Sequence, residues 1–236
     1  MIKKLSNQEK EKALRKDPLF FERLINRRFS LPLLPYVLAY GLSPNRISLI
    51  SFLFGVAGIV LIWPGDYRLQ VLGGLLLLFS NFVDAFDGQV ARLKNLTSRF
   101  GRYLDSTFDD VKESSVLIFM AHNYFLQTGD EKIKYILPVA LIILLLSYLS
   151  AAKIELASGW KQIRIKKNFP IRNNLLNKLG HIVSEIYPSC AYWVWVFLAL
   201  AFNQILVFFW FVIISRLLLF IFLFFSTFWN ERTGKL

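Results

Sequence analysis

Residues 84–109 read DAFDGQVARLKNLTSRFGRYLDSTFD, and the acids of this stretch, Asp84, Asp87, Asp105 and Asp109, lie in or beside segments apolar enough to cross a bilayer. A carboxylate in such a place is expensive and is usually retained for function. With both flanking segments helical, Asp84 and Asp87 fall three apart on one face, and Asp105 and Asp109 four apart on another. Two antiparallel helices joined by a short turn bring all four together. Carboxylates that close repel one another unless cations lie between them. An oxygen-only donor set suits magnesium or manganese better than zinc. Gly88, Ala91 and Gly101 are small residues near the meeting point, where they permit close backbone approach.

The surrounding chain is too apolar for an ordinary soluble domain. Of its 236 residues 55% are hydrophobic, with 23 Phe and 6 Trp, and several runs approach membrane-spanning length. The formal charge is +12, but the cations cluster beside apolar runs, which fits anionic headgroups and the positive-inside bias rather than nucleic acid. A single cysteine, Cys190, excludes an internal disulfide and a cysteine-based metal cluster. The histidines, His122 and His181, are far apart, which leaves a histidine-rich zinc site without support. The N-terminus, MIKKLSNQEKEKALRKDPLF, stays polar where the apolar core of a signal peptide would begin.

The pattern predicts an all-α, polytopic membrane protein with two parts: a basic lead over 1–42 and a six-helix domain over 43–236. Residues 17–42 carry apolar positions at helical spacing broken by arginines and prolines, which reads as one or two amphipathic helices lying in the membrane interface. Ser43-Pro44 starts the first span, with Ser43 as N-cap and Pro44 in the first turn. The spans are expected at about 44–63, 69–91, 101–125, 133–152, 187–202 and 204–228, with a polar, basic segment over 153–187. Six spans put both termini on one side. The cation-rich N-terminal region, the loop with Arg92, Lys94, Arg99 and Arg102, and the 161–178 region alternate consistently, so that side reads as cytoplasmic and the aspartates open towards it.

From the residues alone, Asp84, Asp87 and Asp105 are candidate metal ligands with Asp109 a fourth. Two shared ions would clamp a phosphate, and Asp109 is placed to take a proton from an attacking hydroxyl. A cation pathway and simple pairing with Arg92, Arg99 or Arg102 are the competing readings. Arg216 sits in the middle of FVIISRLLLF, too deep for an interface anchor, so it either pairs with an aspartate or grips a phosphate. Lys153, at the end of the fourth span, is a second candidate for that pocket. His122 is expected to pack, Cys190 to act as a small buried hydrophobe, and the tryptophans to sit at membrane interfaces.

The spacing D-x2-D-G-x2-A-R-x8-G-x3-D-x3-D, filled by Asp84, Asp87, Gly88, Ala91, Arg92, Gly101, Asp105 and Asp109, resembles the complete motif of the CDP-alcohol phosphotransferase family. Ser43-Pro44-Asn45 with Ser48 resembles that family's opening to the first span, and SYLSAAKIELASG resembles the end of its fourth. The resemblance implies a six-helix enzyme of the cell membrane, commonly a homodimer. Such an enzyme moves a phosphatidyl or other phospho-alcohol group from a CDP-linked donor, such as CDP-diacylglycerol, to an acceptor hydroxyl and releases CMP. It implies two Mg2+ or Mn2+ ions shared by the four aspartates, Asp109 as general base, and a cytidine pocket lined at Gly88, Ala91 and Gly101. Arg92 then meets the donor phosphates or braces the site, and Asn45 and Ser48 reach the nucleotide region. Family members with phosphorylated acceptors carry cations in places comparable to Arg216 and Lys153. A small soluble CDP-alcohol donor and a divalent-cation transporter are the alternative functions.

Overall fold

The computed structural model describes residues 5–14, 26–157 and 189–232, and among them every regular element is a helix. Helix α1 spans Asn7–Ala13 and is closed by a capping box, in which the Ser6 hydroxyl takes the Glu9 N–H and the Glu9 carboxylate takes the Ser6 N–H. A π-helical turn at Asn26–Ser30 leads into α2, Leu31–Ala39. The longer helices are α3, Pro44–Ile62; α4, Tyr67–Leu93; α5, Arg99–Thr128; α6, Ile133–Ala157; α7, Ser189–Ala201; and α8, Ile205–Arg232.

The breaks between helices follow local chemistry. Pro44 supplies the fixed φ of a first helical residue, and Ser43 stands at the N-cap of α3. Contrary to the expected cap, the Ser43 side chain makes no hydrogen bond there. Gly65, at φ +78°, turns the chain after α3. Asp66 then caps α4 by accepting from the Arg68 and Leu69 N–H groups. Asn203, at φ 53°, forms the tight turn between α7 and α8.

Each of the six expected spans coincides with one of these helices. Four helices are long and apolar enough to cross a membrane, at Pro44–Ile62, Tyr67–Leu93, Ile133–Ser150 and Ile205–Phe222. Helix α5 falls short because its first half carries Arg99, Arg102, Asp105, Asp109, Asp110, Lys112 and Glu113. Helix α7 falls short in length, its apolar part being Ala191–Ala201. Most of the expected 153–187 polar segment lies outside the described residues, as do His181 and the Cys190 side chain.

The chain forms two compact units. The first comprises Met1–Gly129 with Pro188–Ile205, and holds α1 to α5 and α7. Its closest helix pair is α3 with α4. A Cβ built on Gly58 would lie 2.7 Å from the Gly73 carbonyl oxygen, and one on Gly73 would lie 2.5 Å from the Gly58 oxygen. Only glycine fits at that crossing. Away from the aspartates, the helix ends are stitched by side-chain amides, those of Gln70 and Asn123 buried. Asn123 Nδ2 donates to the Ile62 carbonyl at 2.7 Å, Gln127 Nε2 to Gln70 Oε1 at 2.8 Å, and Gln70 Nε2 to the Leu200 carbonyl at 2.8 Å. These bonds tie α3, α4, α5 and α7 together where unpaired polar groups would be costly. His122 packs as expected, its ring stacked on Trp63 at 3.8 Å between centroids.

The second unit comprises Asp130–Tyr187 with Leu206–Leu236 and contains α6 and most of α8. In it Arg216 is buried, with Nη1 3.4 Å from Ser147 Oγ and the guanidinium 5.1 Å from the Tyr148 ring centroid.

The α3–α4 crossing yields a direct test. Gly73→Leu is expected to destabilise the protein by about 1–3 kcal/mol through overpacking, seen as a lower thermal unfolding midpoint in detergent. An unchanged midpoint would show that the two backbones are not in contact.

Candidate active site

The site is built on one face of each of three helices. On α4, Ser80, Asp84 and Asp87 are spaced i, i+4, i+7 and form a stripe. On α3, Ser48 and Ser51 lie one turn apart against that stripe, and on α5 Asp105, Asp109 and Lys112 repeat the i, i+4, i+7 spacing. The Ser51 hydroxyl lies 3.1 Å from Asp84 Oδ1, and 2.9 Å from the Ser80 carbonyl oxygen. Ser48 Oγ donates to Asp87 Oδ2. Ser48 and Ser51 therefore set the directions of the two α4 carboxylates from the neighbouring helix.

Asp84, Asp105 and Asp109 each present an oxygen such that all three atoms lie within 4.8 Å of one another. Asp87 stands outside that group, turned to Ser48, although the sequence pattern treats it as an equal partner. At a separation near 4.8 Å each pair of full charges repels by roughly 3–4 kcal/mol at an effective dielectric of 20. Three hard, anionic oxygen donors in a half-buried cleft match magnesium or manganese. The residues present therefore fit a divalent cation, with Asp87 one helical turn away to complete the set.

The remaining motif residues fall around this cluster. Gly101 lies in the first turn of α5, where its N–H donates to the capping Ser98 Oγ at 2.9 Å. An added Cβ there would come 3.0 Å from Ser98 Oγ and 3.5 Å from Asn45 Oδ1, so Asn45 borders the Gly101 position. A Cβ on Gly88 would meet Arg92 Nη1 at 3.0 Å, which puts the guanidinium across the Gly88 surface. Arg92 Nε donates to the Ala13 carbonyl at 2.7 Å. Of the two expected roles for Arg92, bracing is visible, and its anchor is the last residue of α1. Ala91 is half-buried on α4, and its carbonyl accepts from the Leu96 N–H as the helix ends. Lys153 is exposed on α6, and Arg216 contacts Ser147 and Tyr148 of the second unit.

Helix α1 and α2 dock on this end of the unit through a cluster of Ala13, Leu34, Ile47, Phe86 and Val90. The buried Gln89 adds a 2.6 Å hydrogen bond to Ser30 Oγ. The sequence reading missed Ser51, Ser80, Gly55 and Lys112. Lys112 forms a 2.9 Å ion pair with Asp109 and is 1% exposed. The spacing Ser48, Ser51, Gly55, Gly58 was an available signal, since it draws a small-residue stripe down one face of α3.

A family model for CDP-alcohol phosphatidyltransferase matches residues 41–221 of the chain. A bifunctional IPC transferase and DIPP synthase of Aquifex aeolicus is 33% identical over 102 residues, 43% of this chain and 23% of that protein. An archaetidylinositol phosphate synthase of Pyrococcus horikoshii is 37% identical over 83 residues, 34% of this chain and 42% of that protein. The chain thus spans less than half the length of these curated relatives. In fold it is similar to the crystal structure of the Mycobacterium tuberculosis phosphatidylinositol phosphate synthase with CDP-DAG bound. That likeness has a TM-score of 0.64 and 18% identity, over 84% of this chain and 93% of the other.

Ser51→Ala removes the hydroxyl that orients Asp84 while leaving every carboxylate in place. It is expected to weaken Mn2+ binding by about tenfold or more, the usual cost of losing an outer partner of a ligand, as measured by calorimetric titration. Wild-type affinity in this variant would detach Ser51 from the site.

Proposed function

The chain belongs to the CDP-alcohol phosphatidyltransferase family, and from that premise we propose that it transfers a phosphatidyl-type group from a CDP-linked lipid donor, CDP-diacylglycerol or a close relative, to the hydroxyl of a phosphorylated polyol. The observation that carries the reading is the convergence of Asp84, Asp105 and Asp109 within 4.8 Å, in a chain that holds every fixed position of the family motif. The acceptor class draws support from the names of the Pyrococcus and Mycobacterium proteins, an archaetidylinositol phosphate synthase and a phosphatidylinositol phosphate synthase.

In this reading Asp84, Asp87, Asp105 and Asp109 hold two divalent ions. The bound ions supply neutralisation of the donor pyrophosphate and polarisation of the phosphorus. The chain's own residues do the rest. Ser48 and Ser51 hold the α4 carboxylates in fixed directions, so little reorganisation is needed when the donor arrives. Gly88, Ala91 and Gly101 keep side-chain volume out of the nucleotide pocket, with Asn45 beside Gly101. Arg92, tied to Ala13 through Nε, meets the donor's phosphates or braces the site. Asp109 accepts the proton of the acceptor hydroxyl as that oxygen bonds to the phosphorus bearing the lipid. The bond from that phosphorus to the CMP oxygen breaks, and CMP leaves with the electron pair.

Arg216 is assigned to the acceptor's phosphate, because its planar fork pairs with a phosphate bidentately. Lys153 contributes a second positive charge to the same substrate. The enzyme spans the cell membrane six times with this site on the cytoplasmic face, a topology supported by the distribution of basic residues between loops. A homodimer is the working form that the family resemblance implies.

The test is CMP release from CDP-diacylglycerol with Mg2+ and a panel of free and phosphorylated polyols, run in parallel with small CDP-alcohols as donors. Release only with lipid donor and phosphorylated acceptor is expected. Release only with a small CDP-alcohol would replace the donor assignment. Asp109→Asn is expected to lower the rate about 100-fold or more, the scale of a lost general base, with the helical content intact. Arg216→Leu should raise the acceptor KM about tenfold or more, in line with a lost charge-assisted phosphate contact, with the donor KM unchanged; an unchanged acceptor KM would remove Arg216 from the pocket.

A further inference from the structure

Lys112 is a buried cation that the reaction as described does not use. It lies one turn beyond Asp109 on α5, is 1% exposed, and places Nζ 2.9 Å from Asp109 Oδ1. Its stem is confined on the opposite side by α3, where a Cβ on Gly55 would come 2.7 Å from Lys112 Cδ. Gly55 thus makes the groove in which the stem runs. Its ammonium also lies 5.6 Å from the Trp193 ring centroid on α7, an attractive arrangement for a cation.

Packing alone does not explain a lysine here. The stem borders an apolar cavity of about 110 Å3 lined by Phe52, Val56, Ile59 and Phe119 among others, and a leucine or methionine would fill such surroundings without bringing a charge. Burying an ammonium costs several kcal/mol unless it is paired. The acids of the cluster are the pairing groups.

We propose that Lys112 is a positioning residue that acts as a built-in counter-cation of the carboxylate cluster. It holds Oδ1 of Asp109 beside Asp84 and Asp105, and its charge limits how tightly the cluster binds divalent ions. The proposal rests on reading the cluster as a metal site, and it concerns a residue outside the family motif.

The experiment uses the full chain in nanodiscs and reads Mn2+ affinity by electron paramagnetic resonance, with kcat and donor KM measured separately. Lys112→Met is expected to tighten Mn2+ binding by about threefold or more, since a positive charge within 3 Å of a ligand is lost. The same variant should lower kcat by about tenfold or more with the donor KM little changed, because the base is no longer held. Lys112→Arg should return Mn2+ affinity to the wild-type value. A Lys112→Met protein with wild-type Mn2+ affinity, or with wild-type kcat, overturns the proposal. Should that variant not fold, Lys112→Gln decides: it keeps a polar side chain in the groove but removes the charge, so tightened Mn2+ binding supports the proposal and unchanged binding overturns it. Wild-type protein that binds no Mn2+ overturns both this proposal and the metal site. Wild-type protein that binds Mn2+ but releases no CMP overturns only the transferase reading, and the affinity arm still tests Lys112.

Discussion

Three carboxylate oxygens held within 4.8 Å of one another are an electrostatic liability that the rest of the first unit is arranged to tolerate. The repulsion is met locally by the Ser51 and Ser48 hydroxyls and by the Lys112 ammonium. It is met globally by helices that cannot drift apart. Gly58 and Gly73 let α3 and α4 touch backbone to backbone, and the amides of Gln70, Asn123 and Gln127 bind the other ends of the helices. A cluster of like charges is stable only when the scaffold enforces it, and an enforced cluster is ready to take cations.

The same scaffold separates chemistry from packing. Each helix of the site gives a polar stripe to the centre and an apolar remainder to its surroundings. Helix α5 is the extreme case. Its first half carries Asp105, Asp109 and Lys112, while its second half buries Val116, Leu117, Met120 and Ala121. The N-terminal helices add a further layer: α1 takes the Arg92 side chain through the Ala13 carbonyl, so the basic lead of the chain helps to shape the site.

Much of this was legible in the sequence because helical periodicity is local. The spacing of Asp84, Asp87, Asp105 and Asp109 fixes which of them share a helix face, and proline, glycine and asparagine punctuate the chain where the turns occur. What escaped was whatever depends on register between helices. Ser51 and Gly55 belong to a small-residue stripe visible in the sequence, but what they touch, Asp84 and Lys112, follows only from how α3 is set against α4 and α5. Lys112 lies within the expected third span, one turn past Asp109, and its pairing and burial appear only in the packed structure. Asp87 shows what spacing alone does not give: the motif places it beside Asp84, and its hydrogen bond to Ser48 appears only when α3 and α4 are set together. Helix α5 does not meet a hydropathy criterion for a span because its first half carries the charged residues of the candidate site.

The central claim is that the aspartates form one divalent-cation centre. Anomalous diffraction from crystals grown with Mn2+ tests it most directly. The account predicts anomalous density between Asp84, Asp105 and Asp109, with Asp87 recruited to the same centre as the ions bind. Mn2+ bound elsewhere, with this carboxylate cluster empty at saturating concentration, would contradict it.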